Sequence, residues 1–267
     1  MSLVGPGAGQ SCRLAVRLAQ TEEDLLAAQR LRYRVFIEEM GGSGTLVDHD
    51  AKLERDRFDT IFDHLLLIDE ARDAAQFDHV VGAYRLLPDT RLTHTDRFYC
   101  DDEFDLTRLR ASGRRLLELG RSCIDPLYRG GTGMLQLWQG LAQYVIRHDI
   151  DILFGAASFH GDDPQRWAQS LGWLHHHHLA PAEIRVRARQ ENGFLPMAAD
   201  LLDRRTALMQ MPSLIRAYLR LGGGIGEGVY LDPEFRTTDV CIILDTASMS
   251  AQAREFAARS GDGGSLL

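Results

Sequence analysis

The stretch "DILFGAASF" (151–159) constrains this chain most. It is a nearly continuous apolar run with no polar alternation. Such a run reads as a strand buried on both faces, at the centre of a sheet covered by helices. Its neighbours agree. Upstream, "RLLELGRSCI" (115–124) reads as a strand that Asp125–Pro126 end, and "GMLQLWQGLAQYVIRHD" (133–149) reads as a helix behind a glycine-rich turn. Downstream, "DPQRWAQSLG" (163–172) reads as a short helix with Pro164 near its start, and "EIRVRARQ" (183–190) as a strand with an arginine stripe.

The N-terminal part follows the same logic. "RLAVRLAQ" (13–20) alternates as a strand does. "TEEDLLAAQRLRYRVFIEEM" (21–40) opens on Thr21 and Asp24, a capping box with Asp in place of Glu, and Gly41–Gly42 stop it. "HLLLIDE" (64–70) and "HVVGAYRLLP" (79–88) read as strands. The order β, α, β, β, β, α, β, α, β defines an α+β (mixed α/β) class with one central sheet. The expected organisation is a flexible N-terminus over 1–12, one domain over 13–246, and a C-terminal tail over 247–267.

Composition narrows the function. A net charge of −8 argues against general nucleic-acid binding. No apolar run of about 18 residues exists to span a membrane, and the N-terminus does not read as a signal peptide. The four cysteines, at 12, 100, 123 and 241, form no CxxC pair, so a reducing cytoplasm is expected.

Three stretches carry chemistry. "ERDRFD" (54–59) and Asp63 place Glu54, Asp56, Asp59 and Asp63 within ten residues, with Phe58 and Phe62 between them. That pattern fits a solvated acidic loop or a packed pocket for a cation or an amine. Arg85 stands among apolar residues of a strand and needs a carboxylate partner, because an unpaired buried charge is costly. The acidic loop is the natural source, with Arg34 a further member of the network. In "LLELGRSCIDPLYRGGTG" (116–133), Glu118 and Arg121 point to opposite faces of a regular strand, and Gly120 marks a possible bulge. The strand then reaches a glycine-rich loop and a helix, an arrangement that offers backbone N–H groups to phosphate. It is neither a Walker loop nor a dinucleotide fingerprint.

The run "LHHHHLAP" lies inside the chain, so it is not a tag. Four adjacent histidines cannot all reach one ion, and no metal site is expected there.

These stretches together resemble known acyltransferases. "IDPLYRGG" is similar to the start of the acyl-CoA-binding loop of GNAT enzymes, V-x-P-x-Y-R-G-x-G-x-G, with the glycines here out of register. "RYRVFIEEM", "ERDRFD", "GAYRLLP" and "LELGR" resemble, in order, motifs of acyl-homoserine-lactone synthases. "ELGRSCIDPLYRGG", "LFGAASFHG", "LHHHHLAP", "AYLRLGGGIGEGVYLDPEF" and "TTDVCIIL" resemble the ornithine-acyl carrier protein N-acyltransferases of bacterial ornithine-lipid synthesis, over roughly 13–246.

The resemblance implies a GNAT-like fold, a central mixed sheet flanked by helices. It implies transfer of a (3-hydroxy)fatty acyl group from acyl carrier protein to the α-amine of L-ornithine, giving lyso-ornithine lipid. The alternative is a GNAT acyltransferase using acyl-CoA and another amine. No cofactor is implied beyond the phosphopantetheine thioester of the donor. Glu118 is the expected base, with Arg121 beside it in the catalytic pair. Arg34, Asp56, Asp59, Asp63 and Arg85 are expected to bind the amino acid. Ser122, Cys123, Tyr128, Arg129, Gly130 and Gly131 are expected to face the donor, Ser122 and Cys123 through an oxyanion hole. An acyl-cysteine at Cys123 is disfavoured, since a buried strand cysteine is usually inert. The acidic carrier protein calls for a basic face, for which 108–115, Arg185, Arg187, Arg189 and Arg204–Arg205 are candidates. A lipid product implies contact with the inner face of the cytoplasmic membrane.

Overall fold

The computed structural model describes residues 13–93, 96–189 and 193–249. In chain order these form β1 (Leu14–Leu18), α1 (Glu22–Arg32), β2 (Asp63–Asp69), β3 (Val80–Pro88), β4 (Phe104–Asp105), α2 (Thr107–Ala111), β5 (Leu116–Ile124), α3 (Gly133–Arg147), β6 (Ile152–His160), α4 (Ala168–His177), β7 (Arg187–Ala188), α5 (Arg204–Gln210), α6 (Ser213–Arg220), β8 (Gly224–Ile225), β9 (Tyr230–Asp232) and β10 (Thr237–Asp245). The expected flexible N-terminus (1–12) and most of the expected tail lie outside the described residues. The chain divides into two compact units, and β5 contributes to both.

The first unit runs to Leu86 and resumes at Arg121–Ile146. Here β1 pairs antiparallel with β2, and β2 antiparallel with β3. Thr21 caps α1 and forms the expected box with Asp24. The helix does not run uniformly to residue 40. It passes at Tyr33 into a π-helical segment, Tyr33–Glu39, and Gly41 follows at φ 74°. β2 is buried along nearly its whole length because both of its faces are covered. Ala27, Ala28 and Leu31 of α1 join Leu66 and Ile68 in one core. On the other face α3 comes close at Gly140, where a Cβ would lie 2.5 Å from Val16 and 3.3 Å from Leu65. That contact admits only glycine.

The second unit comprises Leu87–Gly120 and residues from Arg147 on. Its sheet is mixed. β5 pairs parallel with β6 at three positions only, Leu116↔Ile152 to Glu118↔Phe154. β6 pairs antiparallel with β10 over nine residues, and β8 and β9 pair with β10. The continuous apolar run 151–159 is thus an inner strand, flanked by β5 and β10, as its composition requires. Just past the last β5–β6 pair, a Cβ at Gly155 would sit 2.3 Å from Leu119 O.

Two predicted elements differ in extent. The short helix 163–172 is a 3-10 turn, Pro164–Trp167, followed by α4, which continues through the histidines to His177. The arginine-striped strand 183–190 is regular only at Arg187–Ala188. The strand it pairs with, β4, is two residues long, so the ladder between them cannot extend. Among the described residues, no helix is long and apolar enough to cross a membrane.

Candidate active site

In the first unit the acidic loop folds inward onto arginines from three elements. Arg32, at the end of α1, is fully buried. Its Nε donates to Glu54 Oε2, and its Nη1 and Nη2 donate to Asp59 at 2.6 and 3.2 Å. Gln29, one turn earlier, adds a bond of 3.0 Å to Asp59. Arg85, from β3, donates to Asp56 at 2.7 Å and to Asp59 at 3.0 Å. Its guanidinium lies 4.6 Å from the centroid of the Phe62 ring. Arg121 donates to Glu54 and Asp56, both at 3.1 Å.

Three carboxylates therefore face three guanidinium groups. The balance explains how so much charge is buried, since a buried ion is tolerated when paired and hydrogen-bonded. Burial alone would raise the carboxyl groups of Glu54 and Asp56. The guanidinium groups outweigh it, Arg32 first for Glu54 and Arg85 first for Asp56, and hold both below the usual range. Asp59 is likewise held low, chiefly by Arg32 against burial.

The network has an open rim. Side-chain exposure is 19% for Asp56 and 11% for Arg121, against 0–5% for Arg32, Glu54, Asp59 and Arg85. Arg121 reaches the rim from a left-handed backbone, φ 49°. For a residue with a Cβ that conformation costs of order 1–3 kcal/mol, and such strain concentrates at functional sites. The irregularity expected at Gly120 thus falls one residue later.

His64 backs the network. Its Nε2 lies 3.0 Å from Asp59 O. Burial pushes its pKa from 6.5 down to about 4, against the raising effect of that carbonyl. An unfolded chain takes up this proton below pH 6.5, whereas the fold resists it until about 4. Stability is therefore full above pH 6.5 and falls as pH drops through this window, by up to about 3 kcal/mol. The lowered carboxyls of Glu54, Asp56 and Asp59 act with the same sign at lower pH, since their contribution is lost as they protonate. Urea midpoints should hold from pH 7.5 to about 6.5 and decline from there to pH 4.5. His64→Phe should flatten the upper part of that curve, and an unchanged slope would refute the assignment.

The remaining expected site residues lie as follows. Asp63 accepts from Tyr144 at 2.7 Å. Arg34 does not join the acidic loop but pairs with Asp78 and Asp125 at 3.4 Å each. The helical turn carries it to a different face from Arg32, the residue that takes the expected role. Ser122 and Cys123 continue β5. Burial pushes the Cys123 thiol up to about 12, which leaves no thiolate for acyl transfer near neutral pH. Tyr128 donates its hydroxyl to Asp69. Arg129 forks onto Glu39 at 2.6 and 2.7 Å. Gly130, at φ 80°, has open space where a Cβ would stand, and Gly131 is nearly as open. Together they form the turn before α3.

In the second unit, Glu118 is buried and accepts the backbone N–H groups of Tyr99 and Cys100 at 2.8 and 2.6 Å. The basic candidates are largely engaged. Arg110 forks onto Asp101, Arg114 onto Asp245, Arg115 pairs with Asp149, and Arg187 with Glu227. Arg108, Arg185 and Arg189 donate to backbone carbonyls. Arg204 and Arg205 remain exposed at the start of α5.

The histidine run closes α4. His176 Nε2 lies 2.9 Å from Met197 O, His177 packs on Trp173 at 4.0 Å, and His178 O accepts from Ile225 N. These are packing and backbone-pairing roles, and no cluster of potential metal ligands among the described residues includes them.

The mixed sheet and its flanking helices define a GNAT-like acyltransferase fold, and the GNAT acetyltransferase domain model matches residues 31–139. Two solved structures share that fold. The AHL synthase LasI aligns with a TM-score of 0.51 at 14% identity, over 92% of this chain and 95% of that one. The CoA-dependent acyl-homoserine lactone synthase BjaI aligns at 0.50 with 16% identity, over 92% and 90%. More specifically, the chain is 56% identical over 248 residues to the L-ornithine N(alpha)-acyltransferase of Rhodobacter capsulatus, covering 93% of this chain and 96% of that one. It is 42% identical to the enzyme of the same name from Brucella abortus, over 91% and 88%. The chain belongs to the L-ornithine N(alpha)-acyltransferase family and is an acyltransferase.

Proposed function

We propose that the chain moves a (3-hydroxy)fatty acyl group from acyl carrier protein to the α-amine of L-ornithine and releases lyso-ornithine lipid. The observation that carries this reading, beside the family, is the Asp56–Arg121 pair on the rim of an otherwise closed network. Ornithine has a carboxylate and, besides the reacting amine, a second ammonium group. Arg121 offers a guanidinium to the first, and Asp56 a carboxylate to the second. The buried residues behind them, Arg32, Glu54, Asp59 and Arg85, hold both in place. Asp63 and Arg34 support the elements on either side.

The amine must lose a proton before it attacks the thioester carbonyl. Glu118, three residues before Arg121 on β5, takes that proton through water in this reading. Its two amide donors fix where the carboxylate stands. The C–N bond then forms, the carbonyl oxygen gains charge that the N–H groups of Ser122 and Cys123 stabilise, and the C–S bond breaks to release the pantetheine thiol. The turn Tyr128–Gly131 and the start of α3 offer N–H groups to the phosphate of the donor arm. Of the expected basic candidates, Arg204 and Arg205 are the exposed pair that would meet an acidic carrier protein. The product, a single-chain amphiphile, leaves toward the membrane surface.

Purified protein supplied with 3-hydroxyacyl carrier protein and a panel of ornithine, lysine, glutamine and glycine tests this, with products read by mass spectrometry. Acyl-ornithine should dominate. A parallel series with acyl-CoA identifies the donor, and equal or better turnover with acyl-CoA would overturn the carrier-protein assignment. No acyl-amino acid from either donor would sink the reading as a whole.

A further inference from the structure

A second set of carboxylates lies in the second unit, and acyl transfer makes no use of it. One oxygen each of Glu103, Asp232 and Asp239 lies within 4.8 Å of the others. All three side chains are buried, at 2–5% exposure. The β9–β10 ladder sets two of them. Asp232 stands opposite Thr237, and Tyr230 opposite Asp239. Directly opposed residues share a face, and alternate residues along a strand return to it. Asp232, Thr237, Asp239 and Tyr230 therefore line one face. Glu103 arrives from the segment before β4, whose Phe104 ring packs 6.5 Å from that of Tyr230.

Thr237 supplies an independent sign of a ligand. It is 1% exposed, and its Oγ1 is buried with no hydrogen-bond partner. The register sets it directly opposite Asp232 and two residues from Asp239, on the face that carries the carboxylates. Asp232 uses Oδ1 to accept Glu234 N and Phe235 N at 2.7 and 3.0 Å. This fixes its orientation and leaves the second oxygen for the cluster. The guanidinium of Arg189, which lies nearby, is directed at Asp101 O and Phe104 O instead.

Three carboxylates so close and so buried need a countercharge or must give up charge. Calcium bonds oxygen at about 2.3–2.6 Å, so two ligand oxygens on one ion lie at most about 5 Å apart. Magnesium, at about 2.0–2.1 Å, draws them to within about 4.2 Å. Separations within 4.8 Å lie inside calcium's reach, and magnesium, which usually keeps several of its waters, is less suited to a buried set of protein oxygens. We propose that Glu103, Asp232, Asp239 and the Thr237 hydroxyl form a structural divalent-cation site, selective for calcium, that ties the β9–β10 turn to the segment before β4.

Full-length protein treated with a chelator and then dialysed tests this by thermal unfolding and terbium luminescence. About 1 mM Ca2+ should raise Tm by about 5 °C, and Mg2+ by less. The Ca2+ response should vanish in Glu103→Gln and in Asp239→Asn. Excitation in the tyrosine band should sensitise bound Tb3+, with the signal lost in Tyr230→Phe and displaced by Ca2+. The wild-type and Tyr230→Phe measurements decide the matter even where a carboxylate variant does not fold. No Tm response to Ca2+ in the wild type would overturn the proposal. So would a folded Glu103→Gln protein that keeps the full Ca2+ response of wild type.

Discussion

Replacing Arg32 with methionine should lower the unfolding free energy by about 3–5 kcal/mol, the usual cost of leaving buried charges without their partner. Methionine keeps much of the volume, so the loss reports charge rather than a cavity. Among the described residues, Arg32 is the guanidinium that forks onto Asp59, and it shares Glu54 with Arg121. Without it, Glu54 keeps one arginine, and the Asp59 carboxylate keeps one bond from Arg85, one from Gln29 and one from the Asp56 backbone N–H. Adding Asp59→Asn to Arg32→Met removes the orphaned charge and should restore at least about 1 kcal/mol, a coupling that a double-mutant cycle in urea measures. If Arg32→Met unfolds within about 1 kcal/mol of wild type, the network does not hold the acidic loop in place.

The two halves of this network are unequally legible in the sequence. Arg85 can be read because it stands among Ala83, Tyr84, Leu86 and Leu87, all buried. A charge in such company demands a carboxylate, and the acidic loop is the evident source. Arg32 gives no such signal. It sits in "RLRYR", where basic residues at 30, 32 and 34 look like a solvated helix face. Only helical phase distinguishes it, four residues after the buried Ala28. The expectation therefore falls on Arg34, which the same geometry turns toward Asp125.

Strands with an apolar run or a clear alternation are legible, as β1, β2, β3, β5 and β6 show. β10 does not read as an element, although "TTDVCIIL" carries part of the resemblance. Its residues Thr237–Leu244 are all buried, polar ones included, so neither period nor polarity marks it. The partners of Glu118 are invisible for another reason. They are backbone N–H groups of Tyr99 and Cys100, and a main-chain donor leaves no trace in residue type.

Arg121→Lys should reduce kcat/KM for ornithine by roughly 10²-fold, about 3 kcal/mol, and mostly through KM. A lysine keeps the charge but cannot present two donors in a fixed plane to Glu54 and Asp56 while receiving a carboxylate. The strained backbone at φ 49° carries this side chain at the rim of the network, and a single ammonium there cannot bridge three carboxylates. A merely structural role would slow every amine alike. A binding role predicts a split. With 1,4-diaminobutane, which keeps both amines of ornithine but lacks the carboxylate, wild type should be poor and Arg121→Lys no worse. The preference for ornithine over diaminobutane should then collapse in the variant. Asp56→Asn should act on the other end, raising KM for ornithine while sparing norvaline, which keeps the α-amine and carboxylate but lacks the second ammonium. Should Arg121→Lys lose both ornithine and diaminobutane by the same factor, the guanidinium serves the fold and not the substrate carboxylate.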